Sequence, residues 1–124
     1  MILADTTIWI DYFRQPGLRP ELRNLLNGRQ VVMHPFLIAE LALGSLHDRL
    51  QTLADLENLP QVKVAELTEV RQMIEARLLY SRGIGLTDAH LIASCLLSPP
   101  TMLWTSDTRL GNVAASLGIR ATIP

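Results

Sequence analysis

The chain has 124 residues, 48% of them apolar, a mean hydropathy of +0.22 and a formal net charge of −1. That length suits one buried core, and the near-neutral charge excludes a bulk polycation that would coat nucleic acid or an anionic membrane. No apolar run approaches the roughly 20 residues of a membrane span, no basic segment precedes a long apolar stretch as in a secretory leader, and Cys95 stands alone, which removes intrachain disulfides and cysteine-based zinc sites.

Ile2–Ala4 is a short all-apolar run, as in a strand covered on both faces. From about Thr7 the period turns helical, with Ile8, Trp9 and Phe13 on one face, until Pro16-Gly17. Glu21 to Asn27 predicts a short helix with Gly28 just past its end. Val31-Val32-Met33 predicts a second strand. Pro35 opens an amphipathic helix with Phe36, Ile38, Leu41, Leu43 and Leu46 as apolar positions, and Asp48 to Leu59 continues helically to Pro60. Val62-Lys63-Val64 predicts a third strand. Glu69 in a first turn, with Met73, Ile74 and Leu78 at helical period, predicts the next helix, which Arg82-Gly83-Ile84-Gly85 breaks. Thr87 is expected to cap a helix from Asp88 to Leu97, ended by Pro99-Pro100. Met102-Leu103-Trp104 predicts a fourth strand, stopping at Asp107. A helix to Leu117 follows, Gly118 ends it, and Ile119 to Ile123 predicts a fifth strand.

Short apolar strands alternating with helices predict an α/β fold. It is expected to be a three-layer α/β/α sandwich around a parallel sheet of about five strands, one domain over residues 1–124. Such sheets bind their ligands beyond the carboxyl ends of the strands. Asp5 ends the first strand and Asp107 the fourth; Asp88 sits in the first turn of a helix. Glu40 lies in the apolar stretch "FLIAELALG", with no lysine or arginine three or four residues away. A buried acid without a counter-ion needs a partner, and a metal is the obvious external one. Structural readings compete: Asp5 and Asp107 suit helix caps, and Asp88 suits a helix dipole. Glu40 is the hardest to dismiss, and one shared site explains all four acids together.

Other chemistry fares worse. His34, His47 and His90 share no ligand spacing and read as structural. Cys95 has no evident base, and no glycine-rich stretch resembles a nucleotide-binding loop. Trp9 and Trp104 read as core. Ten arginines stand against one lysine, Lys63; Arg14, Arg19, Arg23 and Arg29 are candidates to hold phosphates, or simply solvated helix positions.

The stretches "LADTTIWIDYF", "HPFLIAELALG", "GIGLTDAHLIAS" and "LWTSDTRL" together resemble a PIN domain, and the chain is similar to VapC-type toxins of bacterial toxin–antitoxin pairs. Each motif is short; their order and joint presence from residue 2 to about residue 120 are specific. The resemblance implies the three-layer fold, a Mg²⁺- or Mn²⁺-dependent endoribonuclease, a cognate antitoxin and a homodimer. Its acids fall on Asp5, Glu40, Asp88 and Asp107, and its supporting hydroxyl on Thr7 or Thr105. Some relatives carry a further acid soon after the fourth; Thr108 to Asn112 offers none.

Hard carboxylate oxygens suit Mg²⁺ or Mn²⁺. Asp5 and Asp107 are expected as direct ligands, Asp88 directly or through water, and Glu40 as the group that orients water or holds a second ion. Hydrolysis by a metal-activated water leaves a 5′-phosphate and a 3′-hydroxyl. Thr7, Thr105 and Arg14 are expected at the RNA. The apolar face Ile38, Leu41, Leu46, Leu50 and Leu53 is expected at a dimer interface, or else in the core. A cytoplasmic location is expected. Alternatives remain: a catalytically silent binding module, a nuclease directed at DNA, or a phosphoryl-transfer domain with Asp5 as nucleophile. The last is disfavoured by Thr7 two residues on and by the lack of any lysine but Lys63.

Overall fold

In the computed structural model, which describes residues 1–124, the first apolar run becomes the centre of the sheet. Strand β1 (Ile2–Ala4) pairs in parallel with β2 (Val31–Val32) on one side and β3 (Met102–Trp104) on the other, Ile2 lying opposite both Val31 and Met102. Leu3 and Ala4 are fully buried, as a strand covered on both faces requires.

Two of the five expected strands contract to single bridges. Gln61 bridges Met33 and Arg120 bridges Leu103, both parallel. Beside β2, Met33 donates to the Pro60 carbonyl at 2.8 Å and accepts from Val62 at 2.9 Å. The ladder ends there because Lys63 and Val64 face solvent. Beside β3, Leu103 donates to Ile119 at 2.7 Å and accepts from Ala121 at 2.8 Å. Ile119 and Ala121 are buried while Arg120 and Thr122 point out, a strand's alternation against a partner only three residues long.

With these rungs the sheet reads Gln61, β2, β1, β3, Arg120. Seven helices connect it: α1 (Thr6–Arg14), α2 (Pro20–Asn27), α3 (Pro35–Ala42), α4 (Arg49–Glu57), α5 (Leu67–Ala76), α6 (Leu86–Leu97) and α7 (Thr108–Ser116). Right-handed crossovers put α1 to α4 on one face and α5 to α7 on the other. Within these groups α1 lies on α3, α3 on α4, and α5 on α6, while α3 also meets α6. The winding reverses between β1 and β3, which is where an open parallel sheet leaves a crevice. Trp9, Trp104, Leu3, Ile92 and Leu103 fill the core, as expected of the two tryptophans.

The helices differ from expectation at their ends. The apolar helix stops at Ala42, and the chain re-enters a helix only after Asp48, at a φ of +47°. Leu43 is therefore 86% exposed rather than packed. Leu41 is buried and Ile38 and Leu53 pack against the core, so most of the apolar face expected at a dimer serves this chain's own interior; Leu50 stays exposed. The next helix ends at Ala76, leaving Leu78 outside it. No helix is long and apolar enough to cross a membrane.

Candidate functional site

Strand β1 delivers Asp5 to the crevice. Its N–H donates to the Trp104 carbonyl at 2.9 Å, so the residue is fixed against β3 before its side chain acts. The carboxylate is 3% exposed. One oxygen caps α1, accepting from the Thr7 N–H at 3.0 Å, the Thr7 hydroxyl at 2.5 Å and the Ile8 N–H at 3.4 Å. The other accepts from the Thr105 hydroxyl. Burial pushes this carboxyl above its ordinary range; the hydroxyls of Thr105 and Thr7 and the Ile8 N–H oppose the shift, and the charge of Asp88 adds to it.

The hydroxyls tie the two strands' exits together. Thr7 Oγ1 accepts from the Ser106 N–H at 3.1 Å, and Thr105 Oγ1 from the Asp107 N–H at 3.0 Å. Thr7 and Thr105, expected at the RNA, are thus committed to Asp5 and to the β3–α7 turn. Asp107 caps α7, one oxygen accepting from the Leu110 N–H at 2.9 Å.

The expected cap on Thr87 is corrected. Helix α6 begins two residues earlier, with Gly85 as its cap, because the Asp88 carboxylate reaches back to the Gly85 N–H at 3.1 Å. Freed from capping, Thr87 donates its hydroxyl to Glu40 at 3.1 Å and so joins α6 to α3. Glu40 is not buried as its apolar neighbours suggested: α3 turns it, with Ala39, to the exposed side. Arg14 and Glu40 line one cleft of about 360 Å³ between α1 and the end of α3. A larger cavity of about 570 Å³ lies at Gly118–Pro124, but it is lined by no acid and lies apart from this chemistry.

The four acids share a field. Burial raises the Asp88 carboxyl above its ordinary range, and repulsion from Asp107 and Glu40 raises it further against the Gly85 hydrogen bond. None of the four is in an ion pair; the ion pairs of the fold are Arg19–Asp11, Arg71–Glu75 and the His47–Asp48 contact. The donor set fits a hard divalent cation. It is all carboxylate, none of it is in an ion pair, and Asp88, Asp107 and Glu40 each keep one oxygen free of protein hydrogen bonds. The acids do not form a closed cage, since no three His, Cys, Asp or Glu side chains converge to metal-binding distance. Mg²⁺ commonly takes one or two protein carboxylates and completes its shell with water and phosphate.

The remaining candidates separate cleanly. His34 is fully buried and caps α3, its Nδ1 accepting from the Phe36 N–H at 2.9 Å. Burial, with His90 nearby, lowers it to about 4. His90 is buried against Phe36, ring centroids 4.4 Å apart, and His47 is exposed. Burial pushes the Cys95 thiol up to about 12, which leaves it an inert core residue. Arg19 is bound to Asp11 at 2.7 Å with its guanidinium 5.9 Å from the Trp104 ring, so it serves the fold. Arg29 leads into β2 at the end of the sheet opposite the acids. Arg109, two residues past Asp107 and not among the candidates, is exposed and lies against Gly83.

A family model described as PIN domain matches residues 2–116. Two curated relatives, each named Ribonuclease VapC32 and found in the Mycobacterium tuberculosis strains CDC 1551 / Oshkosh and ATCC 25618 / H37Rv, are 40% identical over 119 residues. The match covers 96% of this chain and 94% of each relative.

Proposed function

Because the chain belongs to the PIN-domain family, we propose that it is a divalent-metal-dependent endoribonuclease acting as the toxin of a toxin–antitoxin pair. The observation that carries this reading is that carboxylates from four separate elements near the reversal of the sheet are coupled by mutual repulsion and none of them is in an ion pair. The ribonucleases VapC32, similar over nearly the full length, support the substrate class.

Asp5, Asp88 and Asp107 would hold the ion, Mg²⁺ or Mn²⁺, and Glu40 lies at the mouth of the cleft. When bound, such an ion supplies Lewis acidity and a water of lowered pKa for phosphodiester hydrolysis. Thr105 and Thr7 keep the Asp5 carboxylate aimed. Thr87 holds one oxygen of Glu40, so that the other can orient the attacking water. Arg14, across the same cleft, faces a flanking phosphate. The products are a 5′-phosphate and a 3′-hydroxyl, and the 2′-hydroxyl takes no part. A cognate antitoxin blocks the acids, the chain works as a homodimer, and it acts in the cytoplasm.

Incubating the protein with total cellular RNA and Mn²⁺ and mapping new 5′-phosphate ends tests the reading. A discrete site is expected. Asp5→Asn and Asp88→Asn should each cut cleavage by at least about 100-fold with the fold intact. Undiminished cleavage by purified Asp5→Asn protein removes Asp5 from the mechanism.

A further inference from the structure

We propose that Arg109 grips a backbone phosphate of the RNA beside the four acids, from a seat built by Gly83; the assignment rests on the ribonuclease reading above. Arg109 is exposed in the first turn of α7 and makes neither an ion pair nor a side-chain hydrogen bond within the chain. Its stem nonetheless has a fixed place. A Cβ at position 83 would lie 2.6 Å from Arg109 Cδ, 2.8 Å from Nη1 and 3.1 Å from Nε. The arginine can lie there only because residue 83 has no side chain, and the φ of +78° at Gly83 favours glycine independently.

The seat joins the two elements that present the acids. Gly83 is two residues before Gly85, whose N–H holds the Asp88 carboxylate. Arg109 is two residues after Asp107, the cap of α7. Its side chain therefore spans the Asp88 and Asp107 turns while its donors stay unused. Three of the other nine arginines are committed, Arg19 to Asp11, Arg71 to Glu75, and Arg49 to the carbonyls of Ala42 and Gly44; what sets Arg109 apart from the rest is its seat on Gly83 between the Asp88 and Asp107 turns. A cation in the first turn of a helix opposes the helix dipole, so a purely packing role is better served by a neutral side chain. What requires a guanidinium here is an anion from outside, and its planar fork of donors matches phosphate oxygens.

The test measures binding of a fluorescein-labelled mixed-sequence single-stranded RNA over a KCl series in Ca²⁺, with cleavage in Mn²⁺ followed in parallel. Arg109→Gln should weaken binding about tenfold and lower the slope of log affinity against log salt by about 0.7, the value for one phosphate contact on a single strand. Arg109→Lys should keep the slope and recover part of the affinity. Arg29→Gln, the same charge change at the opposite end of the sheet, should leave the slope unchanged. Equal slopes for wild type and Arg109→Gln overturn the assignment even if the variant melts lower, and so does an equal loss in Arg29→Gln. Wild-type protein that neither binds nor cleaves RNA overturns the ribonuclease reading and this assignment together.

Discussion

At the scale of single residues, two threonines decide what Asp5 can do. The sequence marks Thr7 and Thr105 as hydroxyls near a strand-end acid, and nothing in their spacing says which way they point. In the fold both donate to Asp5, and both also accept an N–H from the β3–α7 turn. Thr105→Val keeps the shape and deletes the donor. It should push the Asp5 carboxyl further up and weaken metal affinity or cleavage about 10- to 100-fold, with far-UV circular dichroism unchanged. The pH profile of kcat/KM reads the first effect: its acidic limb should move to higher pH. His34 supplies a second test. Its folded value of about 4 lies below the ordinary 6.5, so between these the unfolded chain binds the extra proton and stability falls as pH drops. His34→Asn can keep the cap on α3 while removing the titration. It should melt lower at pH 7, but its melting temperature should decline less steeply between pH 6.5 and 4.

At the scale of elements, helix interiors were more legible than helix ends: Asn27 and Leu97 close their helices as expected, but the ends of α3 and α5 and the start of α6 do not fall where the sequence suggests. Every helix is expected from the sequence, yet three of their ends depend on which residue takes a left-handed backbone. Helices α2, α5 and α7 all close with the same pair of hydrogen bonds: Gln30 to Leu25 and Arg29 to Leu26, Leu79 to Ile74 and Leu78 to Glu75, Ile119 to Ala114 and Gly118 to Ala115. The left-handed position is Gly118 in α7, but Arg29 in α2 and Leu78 in α5, with φ near +55° in both. Gly28, which the sequence suggests as the terminator of α2, sits one residue too early, at a φ of −84°. Leu78 is 62% exposed, so it buries little in return for its strain. Leu78→Gly should stabilise the protein by about 1 kcal/mol, seen as a higher urea midpoint at unchanged m. The start of α6 follows the same lesson. The sequence suggests Thr87 as the cap; the Asp88 carboxylate on the Gly85 N–H moves the cap to Gly85 and leaves the Thr87 hydroxyl to Glu40.

At the scale of the whole molecule, the strand order was the least legible feature and the most consequential one. Apolar runs at Ile2, Val31 and Met102 announce strands, but nothing local says that the first lies between the other two. That order brings Asp5 against Trp104 and so makes neighbours of acids 102 residues apart. Asp5 and Asp88 are both raised above an ordinary value near 3.8, chiefly by burial and further by like charge. An acid raised in the folded state holds more protons there than in the unfolded chain. This contribution therefore weakens folding as pH climbs from about 4 through the folded values, and the penalty is complete above them. Asp107→Asn removes one of the charges repelling Asp88, and asparagine still caps α7. The metal-free variant should thus melt no lower than metal-free wild type at pH 7, with the difference closing below pH 4. A divalent ion that binds the native cluster and not the unfolded chain reverses the ranking. At 100 times its Kd it adds about 2.7 kcal/mol, on the order of 10 °C in melting temperature at this size. Mn²⁺ should deliver such a shift to wild type and much less to Asp107→Asn. Equal shifts in both proteins place the ion elsewhere and dissolve the shared site.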